Sequence, residues 1–129
     1  MGKIEITHID EAPWISDRDV QTGPRRLGVQ IIGDVDEGLR ALIVAQPPGH
    51  KTKVHSHSET EIIHILEGDI KVGNRTLGPG TCLFIEHDTQ YQFTVGDEGV
   101  RFMNIRPGPS EYHPVGEESA PEVYRGVKK

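Results

Sequence analysis

His55, His57 and Glu61 are the residues of this chain whose types and spacing most directly suggest chemistry. Along an extended strand, side chains alternate faces, so residues two apart point the same way. His55 and His57 then share one face. Glu61 lies four residues further on, across a short turn, and can return its carboxylate to the same spot. Two imidazoles and a carboxylate on one face of a metal leave the other positions open, which is the arrangement of non-haem Fe(II) oxygenases. Zn²⁺ would accept the same donors with an open position for water. The three residues are therefore expected to bind one divalent metal ion, Fe(II) in preference to Zn, Mn or Ni. The competing account is a polar loop with solvated histidines. It does not explain the bracketing glycines Gly49 and Gly68, which stand where the chain must bend around the unit.

The elements that must position these residues are short strands punctuated by turns. Arg26–Ile32, Leu39–Gln46, Val54–His57 and Glu61–Leu66 read as strands. Glu67-Gly68 is expected to turn the chain into Asp69–Val72. Gly73-Asn74 is a two-residue hairpin signal, followed by Arg75–Leu77, a Gly78-Pro79-Gly80 turn, Cys82–Ile85, Tyr91–Val95 and Val100–Ile105. Even spacing of short strands with almost no helical period predicts an all-β fold, a double-sheet jelly roll or barrel. Residues 1–24 read as an N-terminal arm with a strand-like Ile4-Glu5-Ile6, and Trp14 is expected to pack it onto the barrel. Residues 25–107 form the barrel domain, and 108–129, rich in Pro, Gly and Glu, a C-terminal arm.

From Gly49 to Gly68 the chain resembles, at every fixed position, the first motif of the cupin superfamily: Gly, five residues, His-x-His, three residues, Glu, six residues, Gly. The resemblance covers roughly Arg26 to Pro107. It implies a small jelly-roll β-barrel, usually a dimer, with the metal near one end. It does not specify a reaction, because cupins include dioxygenases, decarboxylases, isomerases, lyases and non-enzymatic sensors. The second motif departs from the family pattern. Gly80, Ile85 and Phe93 fit, but Thr81 replaces Asp, Glu86 replaces Pro, and Tyr91 stands where a fourth histidine ligand belongs. Three readings compete: Tyr91 stands near the metal as a fourth ligand or as a hydrogen-bond donor, His87 swings in as a substitute ligand, or the site has only three protein ligands and Tyr91 is inert lining. A neutral phenol is a poor ligand for a divalent ion and a good proton donor. Tyr91 is therefore expected to serve catalysis as a donor.

Other polar residues carry weaker expectations. His64 should point outward with Ile62 if Glu61 points inward. His50, Lys51, Glu59 and His87 are expected in solvated loops, and nothing marks His8 or His113. Arg40, Arg101 and Arg106 should face solvent by default, although one facing inward would make a bidentate carboxylate clamp. Phe93 and Met103 are candidates for an apolar pocket wall. Cys82 reads as a small buried strand residue and, being the only cysteine, cannot form an internal disulfide.

Composition narrows the partners. A net charge of −6 argues against nucleic acid or an anionic membrane surface. The first residues show no apolar core of a signal peptide, and no stretch is long and apolar enough to span a bilayer as a helix. The expected setting is cytoplasmic, with a small-molecule substrate or ligand and a two-fold homodimer. Three functions fit: an Fe(II) dioxygenase-type enzyme acting on a small carbonyl or phenolic compound, a non-redox lyase or isomerase, or a ligand-binding sensor without turnover.

Overall fold

The computed structural model describes residues 2, 4–12, 14, 28–33, 38–108, 110–115 and 122–124. The expected loop at 34–37, the arm beyond Trp14, the start of the first strand and most of the C-terminal tail lie outside the described residues. Those described contain no helix, and none long and apolar enough to cross a membrane.

Among the described residues nine strands form: β1 (Gly28–Gly33), β2 (Leu39–Gln46), β3 (His55–His57), β4 (Glu61–Val72), β5 (Arg75–Leu77), β6 (Cys82–Ile85), β7 (Thr94–Pro107), β8 (Ser110–Pro114) and β9 (Glu122–Tyr124). The larger sheet runs β1-β2-β7-β4-β5, with β6 also on β4, and the smaller runs β3-β8-β9. Every pairing is antiparallel. This is the expected all-β, jelly-roll architecture.

Alternation explains which face is inside. On β4, Glu61, Ile63 and Ile65 are buried while Ile62 is exposed. The register lays Leu42, Asn104 and Ile63 in one inward row and Val44, Phe102 and Ile65 in the next. Ile63, Ile65, Ile70, Ile85, Phe93, Val95, Val100 and Phe102 make the core. Each buried isoleucine contributes about 1.5–3 kcal/mol relative to exposure. Phe93 and Phe102 meet edge-to-face with centroids 5.9 Å apart, a favoured aromatic geometry.

Several expectations need correction. Glu67-Gly68 is not a turn: β4 continues through it, and its register against β7 shifts between Ile65 and Glu67 and between Gly68 and Ile70. Gly68 has φ +74°, and a Cβ there would lie 1.9 Å from the Gly99 carbonyl oxygen. The glycine serves a bulge and a close approach of backbones. Likewise β7 is one strand from Thr94, not two, and Tyr91 precedes it, joined to His55 by an isolated bridge. Cys82 is exposed, because it shares the outward parity of Phe84 while Leu83 and Ile85 point in. Ile4 and Ile6 are exposed and lie in no strand. Trp14 does bridge to Gln30 on β1. Gln30 Nε2 donates to the carbonyls of Ile9 and Ala12 at 2.7 and 2.9 Å, which fastens that part of the arm.

Candidate metal and small-molecule site

β3 holds both histidines on the inner face, where His55 and His57 are buried around half-buried Ser56. Their rings lie 5.0 Å apart at 88°. Tyr91 packs on His55 at 4.4 Å, and Tyr112 of β8 lies 4.9 Å from His55 and 5.6 Å from His57. β3 is short, so its position is fixed by its neighbours. It pairs with β8, and His55 exchanges backbone hydrogen bonds with Tyr91 at 3.0 and 2.8 Å.

Glu61 opens β4 and is 1% exposed. Its carboxylate is held from three sides. Tyr91 Oη donates to Oε2 at 3.1 Å. Asn104 Nδ2 donates closely to Oε1, and Arg106 Nη1 reaches the same oxygen at 3.4 Å. His57 Nε2 lies 3.8 Å from Oε2. The three residues expected to act together are thus brought together.

Burial sets the protonation of the site. Desolvation lowers the pKa of His55, against the opposing pull of the Lys53 carbonyl and Glu61. Desolvation, with the Arg106 charge second, lowers that of His57 to about 2. Both rings are neutral, the form that binds metals. Burial, then the neighbouring Glu61, pushes the Tyr91 phenol far up, so it stays protonated.

The donor set suits a divalent ion in kind. His55 Nδ1 donates to the Lys53 carbonyl at 2.6 Å, which leaves Nε2 with its lone pair; a backbone carbonyl orienting the second nitrogen is usual for ligating histidines. His57 carries a constraint. Arg106 Nη1 donates to its Nδ1 at 3.2 Å. A guanidinium can only donate, so the neutral ring bears its proton on Nε2, the nitrogen nearest Glu61. Ligation through Nε2 requires that proton to move to Nδ1 and Arg106 to release it. Consistent with this, no three His, Cys, Asp or Glu side chains among the described residues are already spaced as a finished ligand set.

A cavity of about 290 Å³ opens beside these residues, with His55, His57, Tyr91, Asn104, Arg106 and Tyr112 in its wall. His50 and Lys51, expected in solvent, also line it, as does Phe93. Met103 does not, because it pairs with His64 on the outer face. His87 does not approach: its side chain is 63% exposed and bound to Asp88 at 3.1 Å. That bond raises its pKa. Glu59 is half-buried in its turn and stands outside the cavity wall. Arg40 and Arg106 are buried, contrary to the solvent-facing default, since both occupy inward positions of paired central strands. Arg101 faces out, 3.4 Å from Glu67. Sequence reasoning missed Asn104 and Tyr112. Asn104 carried a signal, a polar residue at the inward parity of an apolar strand; Tyr112 carried none.

The profile of the AraC-like ligand binding domain matches residues 38–125. The chain belongs to that family. No curated protein matches it significantly. Among solved structures, this AraC-like domain is similar to the polyketide cyclase RemF of Streptomyces resistomycificus (19% identity, TM-score 0.68, covering 91% of this chain and 89% of that one). It is also similar to a candidate acetylacetone dioxygenase of Methylibium petroleiphilum PM1 (16%, 0.70, 96% and 91%). An RmlC-like cupin of Ralstonia eutropha JMP134 follows (15%, 0.65, 94% and 80%). These likenesses show that the AraC-like domain has the cupin fold.

Proposed function

We propose that the chain is a metal-dependent small-molecule cupin of dioxygenase type, acting on a small carbonyl or phenolic compound. One observation carries this reading: His55 and His57 line a cavity of small-molecule size, and Glu61, from the other sheet, stands buried behind them with its carboxylate 3.8 Å from His57 Nε2. His55, His57 and Glu61 would hold the ion. Bound there, Fe(II) would supply Lewis acidity and electrons for dioxygen. The chain's own residues do the rest. Tyr91 orients the Glu61 carboxylate and keeps its proton, Lys53 fixes the His55 ring, and Phe93 and Phe102 keep part of the cavity apolar. The structural similarity to a candidate dioxygenase supports the chemistry as a fold that can host it. Metal analysis of protein purified without added metal should find about one iron per chain, with oxygen uptake on a panel of diketones and phenols. A metal-free protein with no oxygen uptake would refute the reading.

A second reading, ligand binding without turnover, is favoured by the Arg106 hydrogen bond that occupies His57. Calorimetry would then show ligand binding at full affinity in chelator-treated protein.

Assembly belongs to the same proposal. Ile62 faces Phe84 and Ile105 across neighbouring strands on the outer sheet face, and Phe84 is 70% exposed. A homodimer would bury this row; sedimentation at 14.3 kDa would exclude it. The exposed free thiol of Cys82 suits the reducing cytoplasm.

A further inference from the structure

The outer face of the larger sheet carries a row of donor side chains that the cavity does not use. The chain has one cysteine, Cys82, and one methionine beyond Met1, Met103. The register sets them on either side of a single histidine: His64 of β4 pairs with Cys82 of β6 and with Met103 of β7. All three project outward, because Ile63, Ile65, Phe102, Asn104 and Ile85 point in. Ile65 N donates to the Thr81 carbonyl at 2.9 Å. The adjacent pair, His64 with Cys82, is therefore of the non-hydrogen-bonded kind, with Cα atoms about 4.5 Å apart and side chains at their closest. His64 turns its own backbone groups toward β7, and a pair of that kind, here with Met103, spans about 5.5 Å. A thiol, an imidazole and a thioether thus stand side by side, within the reach of cross-strand neighbours. Cys82 is exposed, and His64 and Met103 are half-buried, so an ion in solution can approach them. Among the described residues, neither His64 nor Cys82 has a hydrogen bond or ion pair through its side chain.

We propose that Cys82, His64 and Met103 form a surface site for Cu(I). Thiolate and thioether sulfur are soft donors that select this ion. Zn²⁺ takes Cys, His and carboxylate ligands in a tetrahedral set; the row offers no carboxylate, and its third member is a methionine. As the ion binds, the Cys82 thiol gives its proton to water and coordinates as the thiolate. Copper stays monovalent and no electron moves. Ile62, Phe84 and Ile105 form the next row on the same face and give the ion an apolar flank. The site lies across the sheet from Glu61, whose side chain points inward. It is separate from the histidine-carboxylate site and does not depend on it.

The test is anaerobic titration of the full chain with Cu(I), followed by competition with a chromophoric Cu(I) chelator. The ultraviolet thiolate-to-copper band reports this site alone, because Cys82 is the only thiol; copper at the histidine-carboxylate site is silent in it. The wild type should develop the band to an end point of one copper per chain, a ratio that holds for a monomer and a homodimer alike. Cys82→Ser should abolish the band. His64→Gln should lower the affinity read from the band by about tenfold or more, and Met103→Leu by about threefold or more. These positions are exposed or half-buried on the sheet surface, and the variants keep side-chain size closely. Absence of the band in the wild type overturns the proposal. So does an end point of one copper per two chains, the mark of thiols bridged between molecules. Unchanged affinity in either His64→Gln or Met103→Leu overturns the three-donor site and leaves a surface thiol only.

Discussion

Glu61, Asn104 and Arg106 stand in the middle of the larger sheet, on two long strands paired along most of their length. His55 and His57 stand on a three-residue strand of the smaller sheet, held by β8 and by the single bridge to Tyr91. The two halves face one cavity but are built differently. The carboxylate half is a buried network centred on Glu61, which accepts from Tyr91, Asn104 and Arg106. The histidine half is placed by loop backbones and lies against aromatic rings. The first couples site to fold, so change there should cost stability. The second is tied to the fold less tightly, so change there should cost function more than stability.

Glu61→Ala should break the comparison most severely. It removes the partner of buried Arg106, Asn104 and Tyr91 and should cost about 3–5 kcal/mol, the scale for an uncompensated buried charge, besides abolishing metal uptake. His57→Ala should abolish metal uptake equally but cost only about 1–2 kcal/mol. Urea denaturation with metal analysis on both variants checks this, and equal stability losses would erase the distinction between the halves.

Acid should single out the histidine half. His57 has its folded pKa lowered from 6.5 to about 2, by burial first. The fold therefore prefers the neutral ring, and its stabilising share is complete above the unfolded pKa. It is lost progressively as pH falls below 6.5, amounting to about 2 kcal/mol by pH 5. Denaturation midpoints at pH 7 and pH 5 should show that loss in the wild type and a smaller one in His57→Gln.

Arg106 joins the halves, and its removal should act on them in opposite senses. Arg106→Gln withdraws a positive charge and the hydrogen bond to His57 Nδ1. Co(II) titrated spectroscopically should bind about tenfold more tightly to this variant, while the fold weakens; lower Co(II) affinity would mean that the guanidinium assists the site. The smallest effect belongs to Tyr91→Phe. It deletes one hydrogen bond to Glu61 and should cost about 1 kcal/mol with metal stoichiometry retained. Loss of metal would make Tyr91 a ligand.

The histidines and the carboxylate were legible because strand alternation is local: two residues apart means the same face. β2, β5 and β6 have the bounds their turn signals imply. What stayed hidden depends on register between distant strands. Arg106 meets Glu61 because β7 lies against β4, which nothing near either residue announces. Tyr112 meets His57 through β8, inside a stretch whose Pro and Gly content reads as an arm. Gly68 misleads for a related reason: a glycine bulge inside a long pair and a glycine turn between short strands look alike until the partner strand is known.

The pairing of β3 with β8 has a consequence for how the protein is made. The hydrogen bond from Glu111 to the Ser58 hydroxyl closes a loop of 53 residues, and contacts of such separation form late. During synthesis the strand with both histidines leaves the ribosome well before its partner, while the Glu61 network can assemble once β7 has emerged. A chain halted before β8 would carry the carboxylate half, with the histidine strand held only by its backbone bonds to Tyr91 and Asp88, so the site gains its full support only once β8 has joined.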